Sequence, residues 1–237
     1  MNEAVELIET KEKYKSNKNV LLNTNVRSET SIIIYQAIKR IIDIFGALLG
    51  CILLIPMSII IKIISIINKD YNSIFYLQER IGKDGKIFKL IKYRTMILNA
   101  DEKLEELMSC DTKIANEYKK YKKLDNDPRI TKIGNYLRKS SVDEFPQFIN
   151  ILFNQMSLVG PRPYLEREKK DMGKSYKEII KVKPGLTGLW QVRGRSNTDF
   201  KDRLTLDKEY IKNRSMLLDT KIFFKTFNVV SKKEGAK

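Results

Sequence analysis

Residues 44–61 read IFGALLGCILLIPMSIII and decide how the chain is arranged, because the run contains no charged side chain. As a helix, about 18 residues rise roughly 27 Å, which is close to the hydrocarbon thickness of a bilayer. A buried helix of a soluble protein is usually shorter and amphipathic. The run therefore predicts a segment that inserts into a membrane.

Pro56 lies inside this run, and the sequence predicts a break or kink there, because proline removes a backbone donor and crowds the preceding turn. Basic residues lie on both sides: Lys39 and Arg40 before the run, and Lys62 and Lys69 after it. Basic flanks favour the cytoplasmic side of a membrane. A re-entrant helix–break–helix satisfies both flanks, whereas a straight span satisfies only one. Both arrangements stay open, with the re-entrant one ahead.

The composition limits the chemistry mainly by what it lacks. Lys and Arg total 45 against 29 for Asp and Glu, and the net charge of +16 indicates polyanionic partners such as phosphorylated substrates, anionic lipids or nucleic acid. The absence of histidine excludes histidine bases, Ser-His-Asp triads and histidine-ligated zinc. Two cysteines are too few for a four-thiolate zinc site or a disulfide framework. Catalysis must therefore use carboxylates, Lys, Arg, hydroxyls or an oxygen-ligated metal.

Around the apolar run we predict three parts: a polar N-terminal tail at residues 1–34, a membrane-inserted re-entrant helix at 35–69, and a cytoplasmic catalytic domain at 70–233. The predicted fold class is α-rich α+β, with amphipathic interfacial helices around the catalytic domain. Lys83-Asp84-Gly85-Lys86 lies between two β-prone stretches and indicates a small β-hairpin. Hydrophobic spacing predicts a charged surface helix at 99–124 and helices at 130–137, 199–212 and 216–230. The last helix is equally typical of ordinary packing and of a membrane interface.

The stretch at 140–147, SSVDEFPQ, holds the most informative acidic pair. Ser141 and Glu144 have the spacing of a capping box, and Pro146 suits a first helical turn. This spacing places Asp143 and Glu144 at a helix N-terminus, where free N–H groups stabilise ionised carboxylates and attract phosphates. An ionised Asp can act as a nucleophile toward phosphorus. The competing interpretation is that both acids are only helix caps.

Arginines near this stretch are candidates for binding phosphate, because a guanidinium group offers paired hydrogen-bond donors. The two prolines beside Arg162 restrict its backbone, which favours a site over a flexible surface charge. The candidate set is Arg129, Arg138, Arg162, Arg193 and Arg195.

Several short motifs follow one another along residues 35–233. After the apolar segment with Pro56 they are Gln78-Glu79-Arg80-Ile81-Gly82, Lys92-Tyr93-Arg94-Thr95-Met96, Asp127-Pro128-Arg129-Ile130-Thr131 with Leu137-Arg138, Asp143-Glu144-Phe145-Pro146-Gln147, Met156-Ser157-Leu158-Val159-Gly160-Pro161-Arg162-Pro163, Pro184-Gly185-Leu186-Thr187-Gly188 and Gln191-Val192-Arg193-Gly194-Arg195. No single motif is decisive. In this order, however, the chain resembles the bacterial sugar transferase family, monotopic phosphoglycosyl transferases that load polyprenyl phosphate, and is similar to undecaprenyl-phosphate galactose and glucose phosphotransferases.

The resemblance implies an enzyme that moves a sugar-1-phosphate from a UDP-sugar to undecaprenyl phosphate and releases UMP, the first membrane step of capsule, O-antigen or exopolysaccharide synthesis. It implies that Asp143 is the nucleophile and forms a covalent aspartyl-phosphosugar intermediate. The adjacent Glu144 is associated in the family with a required Mg2+. Lys92, Arg94 and Gln191 lie in the shared motifs and join the arginines as candidate phosphate- or substrate-binding residues.

Three further expectations come from comparing the chain with this family. The family's membrane segment breaks at a Ser-Pro step, whereas Ile55 precedes Pro56 here, so that serine hydroxyl is missing. Leu189-Trp190 before Gln191 and the length of the following tail are most like members that transfer galactose or glucose phosphate, so UDP-galactose or UDP-glucose is the expected donor. Larger members carry an additional multi-span N-terminal domain, which we do not expect here.

The expected location is the cytoplasmic face of the bacterial inner membrane, and the expected partners are membrane lipids, a UDP-sugar and undecaprenyl phosphate. A second copy of the chain or a downstream glycosyltransferase stays open as a partner, and nucleic acid is not expected. One rival is an ordinary glycosyltransferase that releases UDP and holds metal through Asp125 and Asp127, although Asx residues before Pro128 are equally typical of a turn. Another is a non-enzymatic, membrane-tethered protein with salt-sensitive binding to nucleic acid or anionic lipid.

Overall fold

The computed structural model describes residues 29–193 and 198–231 and separates into two compact units, residues 1–36 and 37–237. The described part of the first unit is the beginning of a long helix, and all contacts given below lie within the second unit. Most of the predicted tail at 1–34 lies outside the described residues, and so does Arg195.

Helix α1, Glu29–Ile67, carries the apolar run and is long and apolar enough, by length and composition, to cross a membrane. Of the break or kink predicted at Pro56, the break is wrong, because the α-helix continues through this residue, and the kink stays a prediction. Packing on both sides of the proline explains the continuity, because Leu54 and Ile61 are both buried in one apolar cluster with Tyr93. Re-entry into a membrane remains a prediction.

One stripe of α1 is buried along the helix while the opposite side is an exposed band of large apolar residues. The buried stripe consists of Asp43, Ala47, Gly50, Leu54, Ile61 and Ser65. Gly50 allows the closest approach, because a Cβ atom at this position would overlap the ring of Phe148. The exposed band includes Ile41, Phe45, Leu48, Leu49, Ile52, Leu53, Ile55, Ile59, Ile60, Ile63 and Ile67.

Polar contacts fix the early part of α1 to the rest of the second unit. Arg40 donates hydrogen bonds to the carbonyl oxygens of Ile151 (2.8 Å) and Leu152 (3.0 Å). The Asp43 carboxylate accepts from the Ser157 hydroxyl at 2.9 Å and from the Leu158 N–H at 2.8 Å. The helix is therefore bound to the rest of the second unit by specific polar contacts as well as by apolar packing.

The predicted hairpin is confirmed as antiparallel strands β1, Phe75–Ile81, and β2, Ile87–Tyr93, with Phe75 opposite Tyr93 and Ile81 opposite Ile87. Asp84 and Gly85 both have positive φ in the connecting loop, which explains the Asp-Gly signal. Buried Asn150 binds the outer edge of β2, accepting from the Ile91 N–H at 3.0 Å and donating to the Lys89 carbonyl at 2.8 Å.

The charged segment after the hairpin forms two helices, α2 (Ala100–Cys110) and α3 (Thr112–Tyr121), instead of the single helix predicted at 99–124. Asp111 causes the interruption. Its backbone is extended at φ −135°, and its carboxylate accepts a hydrogen bond from the Lys113 N–H at 2.7 Å to begin α3.

The remaining described elements form a helix-rich fold, as predicted. Strands β3 and β4 pair in parallel, with Ser157 opposite Gly185. The helices predicted at 199–212 and 216–230 are confirmed. The bounds are α4 Lys132–Lys139, α5 Gln147–Leu152, β3 Ser157–Val159, α6 Lys169–Met172, α7 Tyr176–Ile179, β4 Gly185–Thr187, α8 Leu189–Arg193, α9 Phe200–Asn213 and α10 Met216–Ser231.

Candidate active site

A cleft of about 780 Å3 opens beside the β-hairpin and brings together most of the predicted site residues. Its walls come from β1 and β2, the chain between β2 and α2, the turn after α4, the loop after β3, and helices α8 and α9. Predicted residues that line it are Lys92, Arg94, Arg129, Arg138, Asp143, Glu144, Arg162 and Gln191.

Close packing of α4 on the end of the hairpin positions the acidic pair. Gly134 lies directly against the Thr95 backbone, where a Cβ atom would collide with the Thr95 carbonyl. Ser141 then takes a left-handed conformation (φ 57°), which turns the chain into the 3-10 turn Val142–Glu144 that carries Asp143. The predicted capping box is wrong, because the Ser141 side chain makes no capping hydrogen bond from this conformation.

Asp143 is a buried carboxyl group surrounded by charges of both signs. Its pKa is raised to about 6, chiefly by burial and to a smaller extent by the neighbouring Glu144, while the charges of Lys92 and Arg138 oppose the increase. Such a group is mostly ionised at neutral pH and yet poorly solvated. A desolvated carboxylate facing an open cleft is suited to nucleophilic attack on an electrophile bound there.

Glu144 differs from its neighbour because 39% of its side chain is exposed. The Lys92 ammonium lies 3.5 Å from one Glu144 oxygen. Arg138, the second cation that acts on Asp143, donates from Nε to the Thr95 hydroxyl at 2.9 Å, and burial lowers the pKa of Arg138. Adjacent acids in one 3-10 turn therefore occupy different environments, one buried and one open to solvent.

Three of the predicted arginines are held by carboxylates of the protein. Arg129 forms a buried two-point ion pair with Asp127, with distances of 2.8 and 2.5 Å. Arg94 pairs with Asp70 at 2.6 Å at the rim of the cleft. Arg193 pairs with Glu209 at 2.7 and 2.8 Å and lies outside the residues that line the cleft. These three therefore differ in their pairing from Arg138 and Arg162.

The same geometry weakens the metal-binding interpretation of Asp125 and Asp127. Both carboxylate oxygens of Asp127 accept hydrogen bonds from Arg129. Within the described residues, no group of three or more Cys, Asp or Glu residues is arranged to hold a metal ion. Asp127 is thus a structural partner of Arg129.

The cleft also contains residues that sequence reasoning missed: Arg80, Arg203 and Trp190. The Arg162 and Arg203 guanidinium carbons lie 5.4 and 5.3 Å from the Trp190 ring centroid. Arg80 was visible as part of a shared motif, and Trp190 as the only tryptophan of the chain. Nothing in the sequence distinguishes Arg203 from the other charged residues of α9.

Comparisons with known proteins agree with the motif pattern. The family model described as bacterial sugar transferase matches residues 34–233. The chain is 43% identical over 199 residues to a UDP-galactose-lipid carrier transferase of Erwinia amylovora and 40% identical over 199 residues to an undecaprenyl-phosphate galactose phosphotransferase of Salmonella typhimurium. Each alignment covers 84% of this chain but only 41% of the relative, so the chain spans less than half the length of these proteins.

A shorter relative aligns over most of its length. The exopolysaccharide production protein ExoY of Sinorhizobium fredii is 39% identical over 198 residues, which cover 84% of this chain and 87% of that protein. The residues that the family model matches, 34–233, include most of α1 and every residue that lines the cleft.

Proposed function

The chain belongs to the bacterial sugar transferase family, and from that premise we propose that it transfers a sugar-1-phosphate from a UDP-sugar to undecaprenyl phosphate and releases UMP. The observation that carries this proposal is Asp143, a buried carboxylate set between two cations in a cleft that adjoins an apolar helix. The names of the relatives support a UDP-sugar donor, an undecaprenyl phosphate acceptor and a role in exopolysaccharide synthesis.

The proposed reaction has two displacements at one phosphorus atom. An Asp143 oxygen attacks the phosphorus that carries the sugar, and the bond to the UMP oxygen breaks, with the electron pair leaving on UMP. A phosphate oxygen of the lipid then attacks the same phosphorus and releases the Asp143 carboxylate. Lys92 and Arg138 offset the repulsion between the attacking anion and the diphosphate, a role that electrostatic catalysis of phosphoryl transfer requires.

Mg2+ is the metal that the family implies. Mg2+ is commonly held by one or two carboxylates together with substrate phosphates and water. The half-exposed Glu144, with Asp143 next to it in the chain, fits that requirement as the protein ligand. When bound there, the metal supplies positive charge to the diphosphate oxygens.

Membrane placement follows from where α1 touches the rest of the chain. Asp43, just before the apolar run, and Ser65, after it, are both buried, and their separation along the helix is about 33 Å. A straight span of this length would carry one end across the bilayer, away from the residues that bury it. We therefore propose that α1 and the catalytic part lie on one side, the cytoplasmic face. The exposed apolar band of α1 and the exposed Leu217, Phe224 and Phe227 of α10 would lie in the lipid.

The activity is tested by measuring UMP release over a panel of UDP-sugars, with and without undecaprenyl phosphate and Mg2+. We expect UMP release with UDP-galactose or UDP-glucose that depends on the lipid. Turnover only with UDP-N-acetylated sugars would show that the proposed donor is wrong. Release of UDP in place of UMP would instead identify an ordinary glycosyltransferase.

The membrane placement is tested by cysteine labelling in intact cells. Exposed Cys110, in a Cys51→Ala background, reports on the catalytic part. An Ala37→Cys substitution in a Cys51→Ala/Cys110→Ser background reports on the N-terminal part of α1. Both thiols should resist an impermeant maleimide until the cells are opened. Labelling of position 37 alone from outside would establish a straight span.

A further inference from the structure

The end of the cleft away from Asp143 carries more positive charge than its surroundings neutralise. Arg80 and Arg203 are buried and Arg162 is half-buried, yet none of these three forms an ion pair with a carboxylate among the described residues. Burial followed by the charge of Arg162 lowers the pKa of Arg80 to about 9 and that of Arg203 to about 10. Buried cations that repel one another are stable only when an anion is close.

Protein acids offset this charge only in part: Glu168 acts on Arg80 and Arg203, and Asp199 on Arg203, but none of the described acids forms an ion pair with them. Glu168 uses one oxygen to accept from the Leu165 N–H at 2.8 Å. Asp207 accepts from the Arg162 N–H at 3.1 Å and from the Tyr164 hydroxyl at 2.7 Å, and burial raises its pKa to about 7. Asp207 therefore carries only a partial negative charge at neutral pH.

Unused hydrogen-bond donors identify the missing group more closely. Arg80, Arg162 and Arg203 each bury an Nε–H, and Trp190 buries its Nε1–H, without an acceptor among the described residues. Buried unpaired acceptors at this end of the cleft are fewer, one oxygen each of Gln191 and Asp207. Since buried polar groups are normally paired, an excess of cationic donors indicates an acceptor with negative charge.

This end is electrostatically separate from the acidic pair. The charges that act most on Asp143 are those of Lys92, Glu144 and Arg138. Those that act most on Arg203 are Arg162 and, among the acids, Glu168 and Asp199. Arg80 also donates to the Pro163 carbonyl at 2.7 Å, which fixes the backbone of the loop that carries Arg162.

We infer that Arg162 and Arg203, placed over Trp190, form a second phosphate-binding subsite, with Arg80 as a positioning residue behind it. The ligand class is a phosphate monoester dianion. Resting on the proposed function, the subsite would hold the UMP phosphate as the leaving group, while Lys92 and Arg138 hold the phosphate that reacts with Asp143.

Trp190 makes the subsite directly observable, because it is the only tryptophan in the sequence. The full chain in detergent is titrated with UMP, uridine, inorganic phosphate and farnesyl phosphate while tryptophan emission is recorded. UMP and inorganic phosphate should change the emission saturably, and uridine should not. A change with farnesyl phosphate but not UMP would assign the same subsite to the lipid acceptor. A change with uridine equal to that with UMP would overturn the inference.

Variants separate the subsite from bulk charge. Arg203→Gln should weaken UMP binding about 10- to 100-fold, because a charged hydrogen-bonded contact is lost. Lys201→Gln, an equal change of charge at an exposed position of the same helix, should leave the affinity unchanged. Arg203→Lys keeps the charge, protects the fold and should give an intermediate affinity. Equal affinities in Arg203→Gln and wild type would overturn the inference.

The test of the subsite and the test of the proposed reaction can fail separately. Phosphate-dependent emission in a protein that releases no UMP from any UDP-sugar would keep the subsite and reject the function. UMP release with normal kinetics in Arg203→Gln would keep the function and reject the subsite.

Discussion

The two ends of the cleft differ in how their charges are balanced. At one end two acids, Asp143 and Glu144, face two cations, Lys92 and Arg138. At the other end Arg162 and Arg203 have no ion-pair partner among the described residues. A balanced end can keep a desolvated carboxylate ionised and reactive, whereas an end with excess positive charge can mainly bind. The comparison teaches that the ion-pair partners of a charged side chain, more than its residue type, decide whether that end of the cleft is suited to catalysis or to binding.

The largest effect is expected from Asp143→Asn, which keeps the size of the side chain but removes the anionic nucleophile. UMP release should fall by about four orders of magnitude or more, to the background rate.

Glu144→Gln should also reduce turnover strongly, but excess Mg2+ should restore part of it, because Glu144 is proposed to hold the metal and not to attack.

Covalent labelling distinguishes the two acids directly. Without acceptor, wild-type enzyme should retain radioactive sugar from the UDP-sugar through denaturation and lose it to hydroxylamine, as an acyl phosphate does. Label that persists in Asp143→Asn, or disappears only in Glu144→Gln, would show that the nucleophile has been assigned to the wrong residue.

The next largest effects concern one cation from each end of the cleft. Arg138→Ala and Arg162→Ala should each reduce kcat/KM about 10²- to 10³-fold, since each removes a charge from a phosphate in a partly buried site. Lys119→Ala is the matched control, because Lys119 is exposed on α3. Lys122 is unsuitable, because it pairs with Asp171 at 2.6 Å and lines the cleft. Equal, small losses of kcat/KM in all three variants would show that the two arginines act only as surface charge.

A third experiment compares a paired arginine with an unpaired one. Arg129→Ala leaves Asp127 buried without its partner, so the free energy of unfolding should fall by about 3–5 kcal/mol. Arg162→Gln breaks no ion pair and should leave stability nearly unchanged while activity falls. Melting curves of the two variants, recorded beside UMP release, test this difference. Similar melting temperatures would contradict it.

The smallest effect concerns pH. Because burial raises the pKa of Asp143 to about 6, kcat/KM should fall as the pH drops through about 6 and the nucleophile is protonated.

The contribution of Asp143 to the free energy of unfolding has the opposite pH dependence. It is complete below the ordinary pKa of 3.8 and is lost as pH rises through about 6. Asp143→Asn should therefore unfold less readily than wild type at pH 8, by about 3 kcal/mol, which is the increase from 3.8 to about 6 converted at about 1.4 kcal/mol per pKa unit. An unchanged or lower melting temperature would contradict this.

Much of the fold could be predicted because its signals are local. The apolar run, the Asp-Gly turn and the spacing of α9 and α10 are each readable within a short window. The break expected at Pro56 was wrong because tertiary packing holds the helix on both sides of the proline. The serine hydroxyl missing beside Pro56 has a counterpart at Ser58, which contacts the Leu54 carbonyl at 2.8 Å and the Tyr93 hydroxyl at 2.7 Å.

The site was predictable as a set of residues but not as a set of roles. The sequence motifs identified Asp143, Arg138 and Arg162 as candidate site residues, and all three line the cleft. Pairing was not predictable, because the Arg193–Glu209 contact forms between two helices and depends on tertiary packing. Arg203 was missed for the same reason, since only the packing of α9 against Trp190 distinguishes it from Lys201 or Lys208.

Helix α1 is also an integral part of the interior of the second unit. Its buried stripe contributes Leu54 and Ile61 to the cluster that includes Tyr93, Leu137 and partly buried Val142, the residue before Asp143. Removing α1 to obtain a water-soluble enzyme would uncover this cluster and the Phe148 ring, so a truncated form should aggregate. During synthesis α1 leaves the ribosome before the rest of the second unit, which makes it a template on which that part can fold. Purification of active enzyme should accordingly require a lipid mimetic throughout, including for assays with fully soluble substrates.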